Sequence, residues 1–161
     1  MRYERRGLVV DSARRPGDVT AREPGGGGLI VVDVTCSYTG TPTGLPRACG
    51  RPGGAALEAE AAKLRAAPEL ADPTATFVPF AVDDYGFVAP HGQAFLRTLA
   101  ARAVARGVEH FTEGQAKAAA ARLLHRWRSR LSAALHGAVA QVICVRADRA
   151  LRAADPEDGW V

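Results

Sequence analysis

Two aspartates and a lysine are the residues whose types and spacing could do chemistry in this chain. Asp18 follows Pro16-Gly17, and Asp33 lies inside the apolar run 29–35. A carboxylate in such a strand is costly unless it is paired or bound to a metal. If the two segments pair as a hairpin across the intervening glycines, both carboxylates come to the same end of a sheet. There they would bind Mg²⁺, which takes oxygen ligands, activates a bound water and stabilises charge on a phosphate.

Each of these residues also has a structural interpretation. Asp18 can be a turn residue, and Asp33 can end its strand by bonding to the backbone of the turn at 35–37. Lys63 follows Glu60 by three residues in a helical segment, so the two share a helix face. This face either points to the aspartates, with Lys63 catalytic and Glu60 a supporting acid, or forms a surface ion pair worth about a few tenths of a kcal/mol.

The order of these motifs resembles the signature of restriction-like endonucleases of the PD-(D/E)xK type, which lie downstream of the reverse transcriptase in certain non-LTR retroelement polyproteins. The resemblance covers about residues 14–105 and rests on four segments: Arg15-Pro16-Gly17-Asp18-Val19, Asp33-Val34-Thr35, Ala59-Glu60-Ala61-Ala62-Lys63, and 77–86 with its Pro79-Phe80-Ala81. Two departures stand out. Gly17 is inserted before Asp18, and Thr35 occupies the usual lysine position, so the lysine would come from the helix as Lys63.

The resemblance implies Mg²⁺-dependent hydrolysis of a DNA phosphodiester. Asp18 and Asp33 would hold the metal with the Val34 carbonyl, while Lys63 would orient the attacking water or neutralise the phosphorane charge. Related nucleases carry one more acid on an N-terminal helix, for which Glu4 is a poor candidate here. The first alternative is a catalytically inactive remnant that binds DNA or protein, and the second is a small interaction domain without a nucleic-acid role.

A cationic helix provides a separate indication of a DNA partner. Arg122, Arg126 and Arg130 recur every four residues, opposite a stripe of leucines and Trp127. Such an amphipathic helix can lie along a duplex backbone, and we assign Arg15 to the same contact. The alternative is a solvated face of a helix that packs by its leucines. Nothing in this pattern reads base edges, so no sequence specificity is predicted.

The composition is compatible with a DNA partner and gives little further chemistry. The 161 residues suit one domain, and 21 Lys and Arg against 17 Asp and Glu give a formal charge of +4, although GC-rich codon usage would also raise the arginine content. Cys36, Cys49 and Cys144 form no CxxC pair, so free thiols are expected, and the four histidines do not cluster with them at zinc spacing. No apolar run approaches the roughly 20 residues of a membrane span. We expect an intracellular, nuclear protein, within or derived from a retroelement polyprotein.

Periodicity and turn residues predict the elements that must position these groups. We expect strands at 7–10, 18–22, 29–35 and 76–82, helices at 55–67, 90–106 and 113 to about 135, a loop at 39–54, and either strand or helix at 138–145. The fold class is therefore α/β, with a small mixed sheet of about four strands, a PD-(D/E)xK-like core and added C-terminal helices. One domain spans 1–161, with a core at 1–110, a helical region at 111–155 and a tail at 156–161. Leu57 and Leu64, seven residues apart, should face the sheet.

Overall fold

The structure is a computed structural model that describes residues 2–3, 17–22, 28–40, 44–67, 69–107 and 111–154. Its elements in chain order are β1 (Arg2–Tyr3), β2 (Val19–Arg22), β3 (Leu29–Ser37), α1 (Gly44–Gly50), α2 (Gly54–Arg65), β4 (Thr76–Asp83), α3 (Pro90–Gly107) and α4 (Glu113–Ala154). The predicted mixture of helices with a small mixed sheet and C-terminal helices is confirmed. The predicted strand at 7–10 and the tail at 156–161 lie outside the described residues.

The sheet combines a hairpin with a parallel crossover. β2 and β3 pair antiparallel, with Val19 opposite Val32, as the glycine-rich connection predicts. β4 returns parallel to β3 after α2, with Val78 beside Val32. The order is β1-β2-β3-β4, that is, three strands of at least four residues and the two-residue β1. β4 ends this order, which is the edge position that Pro79 predicts.

Alternation along the strands gives the sheet two different faces. On the α3–α4 face, Val32 joins a buried cluster of residues from β4 and the segment after it, and this cluster packs against side chains of both helices. The cluster is Val32, Val78, Phe80, Val82 and Val88, and the helix residues are Phe95, Leu96, Leu131 and Leu135. On the α2 face, Ala56 of α2 packs against Ala81 of β4 and against Ala89. The sheet therefore lies between α2 and the α3–α4 pair.

The packing of α2 differs from the prediction. Its buried residues are Gly54, Ala55, Ala56 and Glu60. Leu64 is 42% exposed, so the predicted Leu57 and Leu64 stripe is wrong. The alanines of α2 meet Ala81 on β4, and this small-residue contact brings the helix closer to the sheet than a leucine stripe would allow. That close approach is what brings polar side chains of α2 within reach of β3.

Two further segments correct the prediction. The segment 39–54 is not all loop, since α1 occupies Gly44–Gly50; Pro46 lies in its first turn, where a missing N–H costs nothing. The ambiguous stretch 138–145 is helical, and α4 runs unbroken for 42 residues, about 63 Å. Its β-branched residues favour a strand locally, but extending a formed helix is easier than starting a new element. Within the described part of the chain, no helix combines the length and the apolar character that a membrane span requires.

Candidate active site

Asp18 lies at the bend that leads into β2, beside the middle of β3. In the antiparallel register, Val19 pairs with Val32. Continuing this register by one residue would place Asp18 opposite Asp33. Asp18 Oδ2 accepts a hydrogen bond of 2.7 Å from the backbone N–H of Val34, so this carboxylate is fixed to β3.

The glycine that precedes Asp18 has a physical reason. A Cβ added at Gly17 would lie 2.7 Å from the carbonyl oxygen of Val32 and 2.9 Å from Cγ1 of Val31. Real side chains do not approach a backbone oxygen so closely. Gly17 therefore lets the chain cross against β3, and this crossing sets the position of the next residue, Asp18.

Lys63 in the last turn of α2 contacts the second aspartate. Its Nζ donates a hydrogen bond of 2.5 Å to Asp33 Oδ2. Both side chains are partly buried, at 32% exposed for Lys63 and 20% for Asp33. Since Val32 packs on the α3–α4 face, alternation puts Asp33 on the α2 face. The partner of Lys63 is thus a sheet carboxylate 30 residues away, and not Glu60 as in the surface-pair interpretation.

Glu60 is bonded elsewhere. This residue is 5% exposed, and its carboxylate accepts a hydrogen bond of 2.8 Å from the backbone N–H of His91, while His91 Nδ1 lies 3.1 Å from its second oxygen. His91 lies in the first turn of α3, where a negative charge is favourable. Glu60 consequently ties α2 to the start of α3. Glu60, the predicted supporting acid, is one helical turn from Lys63, but its carboxylate is directed to His91 and not to the contact between Lys63 and Asp33.

The groups around Asp18 and Asp33 form a set of hard oxygen donors. The bonds from Val34 and Lys63 use one oxygen of each carboxylate, so the second oxygens are the candidate ligands. The N–H of Val34 points toward Asp18, and a strand residue directs its N–H and C=O to the same side, so the Val34 carbonyl faces this edge too. Across the described residues, no group of three or more His, Cys, Asp or Glu side chains could hold a metal. Mg²⁺ keeps several waters and is typically bound through only one or two carboxylates, so Asp18 and Asp33 are the residues that would hold it.

Two neighbouring aspartates have structural roles that the sequence motif did not reveal. Asp83 is buried and accepts hydrogen bonds from the backbone N–H groups of Tyr85 and Phe87. Asp84 accepts two bonds from Thr39, one from its backbone N–H and one from its hydroxyl. Together these bonds shape the turn after β4 and anchor the end of β3 to it. Neither carboxylate is directed to the Asp33 contact.

Cys36 is the thiol nearest to this turn. Desolvation raises its pKa above the ordinary value, and the carboxylates of Asp84 and Asp83 raise the pKa further. A thiol with a raised pKa carries little thiolate at neutral pH. Cys36 is therefore poorly suited to act as a nucleophile.

The predicted DNA-binding arginines lie on the other side of the molecule. Arg122, Arg126 and Arg130 are all exposed. Leu131 packs on the sheet. Arg122 is nine positions before it, which is about two and a half helical turns, so the two side chains lie on opposite sides of α4. The arginine side chains thus project away from the sheet on the face opposite Asp33. Arg15 and Glu4 lie outside the described residues.

A cleft between α3 and α4 was not predicted from the sequence. This α3–α4 cleft has a volume of about 840 Å³, and its lining residues are Gly86, Phe87, Val88, Gln93, Arg97, His125, Arg128, Ser129, Leu131, Ser132, Ala133 and His136. Two of the histidines that the sequence presented as isolated surface residues, His125 and His136, line this cleft. The signal available in the sequence was their spacing, since His125, Ser129, Ser132 and His136 recur every three or four residues, as residues on one face of a helix do.

Comparison with protein-family models, with curated proteins and with solved structures finds no match for this chain.

Proposed function

We propose that this chain is a Mg²⁺-dependent DNA endonuclease domain of the PD-(D/E)xK type, similar to those of non-LTR retroelement polyproteins. One observation carries the proposal: Lys63 Nζ lies 2.5 Å from Asp33 Oδ2, while Asp18 is bonded to the residue after Asp33. The sequence motif explains why these three residues are grouped: the lysine that is missing at Thr35 would be supplied by α2 as Lys63. A surface ion pair with Glu60 would not have required α2 to approach the sheet.

Each residue has a distinct role in this proposal. Asp18, Asp33 and the Val34 carbonyl would hold Mg²⁺, which when bound supplies an activated water and stabilises charge on the phosphate. Lys63 would donate hydrogen bonds to a phosphate oxygen as negative charge develops there. Before substrate binds, Asp33 holds the ammonium group in position. Glu60 acts indirectly, since its bonds to His91 fix α2 against α3.

The substrate would be duplex DNA that approaches from the α2 face. Lys63 is partly exposed, so a phosphate can reach it from solvent. Arg122, Arg126 and Arg130 project from the opposite side, so they would raise the affinity for DNA without contributing to the cutting step. A nuclear location and attachment to a retroelement polyprotein follow from the same proposal.

A second candidate is a catalytically inactive remnant that still binds DNA. It is favoured by the small ligand set, since one oxygen of each aspartate is already bonded and the described residues offer no three-residue metal cluster. In this case Lys63 and Asp33 would form a structural ion pair between α2 and the sheet. The two candidates differ in one measurable respect, which is cleavage.

The test is nicking of supercoiled plasmid in the presence of Mg²⁺. We expect the unmodified chain to nick the plasmid and Lys63→Ala to lower the rate by about 100-fold or more, the effect of removing a donor to developing charge. Lys63→Arg should restore little, because a planar guanidinium does not replace a compact ammonium. DNA affinity should change little, since the lysine acts on transition-state charge.

The chain offers a matched control. Lys117 is the only other lysine, and it forms an exposed ion pair with Glu113 on α4. Lys117→Ala removes the same charge and should nick at the unmodified rate. Equal rates for Lys63→Ala and the unmodified chain would refute the lysine assignment, and the absence of any nicking would support the inactive remnant.

A further inference from the structure

The α3–α4 cleft collects positive charge in a part of the chain that lacks acids. Its lining includes one guanidinium group from each helix, Arg97 on α3 and Arg128 on α4, and the imidazoles of His125 and His136. Among the described residues that line it, none is Asp or Glu. The α3 sequence also contains no acid, and the α4 sequence contains none over 114–147. A concave surface with one sign of charge concentrates ligands of the opposite sign.

A chain of hydrogen bonds positions Arg97 in the cleft. Gln93 donates to the carbonyl oxygen of Val88 at 2.7 Å, and its own oxygen accepts a bond of 3.1 Å from Arg97 Nη2. The partner of the guanidinium is thus a neutral amide, which does not neutralise the charge. This bond uses a single N–H of a group that has others to offer an oxyanion.

Ser132 and His136 add neutral polar groups to the same cleft. His136 Nδ1 lies 2.7 Å from the carbonyl oxygen of Ser132 and 3.3 Å from its hydroxyl oxygen. Because a carbonyl only accepts, Nδ1 carries the proton. The hydroxyl oxygen therefore faces an N–H and accepts from it, which leaves the hydroxyl hydrogen to donate to a ligand. A protonated nitrogen cannot accept the Ser132 proton, so this pair is arranged for binding and not for nucleophilic attack.

A phosphate group suits these donors better than a planar carboxylate does. Its oxygens are strong acceptors and point in several directions, so one group can contact arginines from both helices and the Ser132 hydroxyl. Arginine binds phosphate through paired N–H···O bonds. The cleft volume of about 840 Å³ lies within the range of small-ligand sites and leaves room for the remainder of a phosphate ester.

The cleft is continuous with the outer arginine surface. His125 and Ser129 line the cleft and also line a shallow groove with Arg122 and Arg126. A nucleic-acid backbone along this groove would have a phosphate beside the cleft. A small phosphate ester and a backbone phosphate therefore present the same chemistry to Arg97 and Arg128.

We propose that the α3–α4 cleft is a phosphate-binding site, in which Arg97 and Arg128 contact the phosphate oxygens and the Ser132 hydroxyl donates to one of them. This goes beyond the proposed nuclease function and does not rest on it. The cleft lies on the face of the sheet opposite Asp33 and Lys63. Its test requires neither Mg²⁺ nor cleavage, so the two proposals can fail separately.

Phosphorus nuclear magnetic resonance of inorganic phosphate, titrated with the full chain at constant ionic strength, measures the bound fraction. The variant Arg97→Ala/Arg128→Ala should weaken phosphate binding by about tenfold or more, because two charged hydrogen-bond donors are lost. Ser132→Ala removes a neutral donor and should weaken it by about twofold to tenfold.

The matched control is Arg106→Ala/Arg149→Ala, which removes the same charge from exposed helix positions outside the cleft. It should weaken phosphate binding no more than about twofold to threefold, as expected for distant, screened charges. A second arm repeats the comparison with duplex DNA over a salt series. A log–log slope reduced by about one unit relative to the control identifies a backbone phosphate as the source, and an unchanged slope identifies a small phosphate ester.

The phosphate titration decides the proposal. Losses in both cleft variants that exceed the loss in the control support it. Equal losses in the arginine pair and the control would overturn it, since binding would then reflect overall charge. Unchanged affinity in either cleft variant, or displacement of phosphate by acetate at equal concentration, would also overturn it, because the named donors or the preference for phosphate would be wrong.

Discussion

The α2 face and the α3–α4 face of the sheet use charge in different ways. On the α2 face, buried or partly buried charges are paired, Lys63 with Asp33 and Glu60 with His91. On the α3–α4 face, the interior is apolar, and the cations project outward or line a cleft whose described lining contains no acid. Paired groups are held in defined positions, as chemistry requires, whereas unpaired exposed cations attract a polyanion over a distance. The comparison predicts that cutting and binding can be disrupted separately.

Removing the arginines of the outer surface should give the largest effect on binding. Replacing Arg122, Arg126 and Arg130 with Ala should lower duplex affinity by about 10- to 1,000-fold at low salt and reduce the log–log salt slope by roughly one unit per lost phosphate contact. The nicking rate at saturating DNA should stay the same, because these residues lie on the other face. A salt series of electrophoretic retardation measures the slope.

The control for this prediction is the triple variant Arg106→Ala/Lys117→Ala/Arg149→Ala, which loses the same charge from exposed helix positions. A slope reduced as much by the control would show that only net charge matters. A lower nicking rate at saturating DNA would show that the two faces are not independent.

Removing the buried carboxylate of Glu60 on α2 should have a smaller effect, and this effect should be on the stability of the fold. Glu60→Ala leaves the backbone N–H of His91 without its buried partner and should lower the free energy of unfolding by about 2–3 kcal/mol. Glu60→Gln keeps an acceptor and should cost about 1 kcal/mol. Urea denaturation measures both values.

Glu58 on the same helix is the matched control. It pairs with Arg47 at 2.7 Å, but both side chains are about half exposed. Glu58→Ala should therefore change stability by at most about 1 kcal/mol. If Glu60→Ala and Glu58→Ala destabilise equally, Glu60 does not tie α2 to α3.

Two glycines give the smallest predicted effects, with opposite signs. Gly17→Ala should destabilise the protein by about 1–3 kcal/mol, because the new Cβ meets the backbone of Val32. Gly137→Ala in α4 should stabilise it by about 0.5–1 kcal/mol, because a Cβ there contacts nothing within 4 Å and alanine favours a helix. Thermal unfolding of both variants measures the difference. A tolerated Gly17→Ala would mean that Asp18 does not depend on the close crossing.

Local sequence patterns predicted strands β2, β3 and β4 and the general course of the fold, but not the two-residue β1. The β-branched run of β3 and the glycine-rich connection fixed the hairpin, and four-residue spacing fixed the exposed arginine face of α4. The packing of α2 was missed because hydrophobic periodicity favoured Leu57 and Leu64, whereas the space over Ala81 accepts only small residues. Local propensity cannot report that kind of complementarity between distant elements.

The candidate site was likewise predictable only in part. Asp18, Asp33 and Lys63 were predicted from motif order, although the reason for Gly17 required its distance to Val32. The partner of Glu60 was not predictable, because His91 is 31 residues away and meets it only when α3 begins beside α2. The α3–α4 cleft also depends on two helices that are adjacent in space, so the spacing of its histidines gave only half of the site.

The central claim is that Asp18 and Asp33 hold a divalent cation on the α2 face. Electron paramagnetic resonance of free Mn²⁺, titrated with protein, tests it without requiring cleavage. We predict that the unmodified chain depletes the free Mn²⁺ signal, that Mg²⁺ restores the signal by competition, and that Asp33→Asn and Asp18→Asn each abolish the depletion while Asp148→Asn, on the distal part of α4, does not. No depletion by the unmodified chain, or equal depletion by all four proteins, would contradict the account.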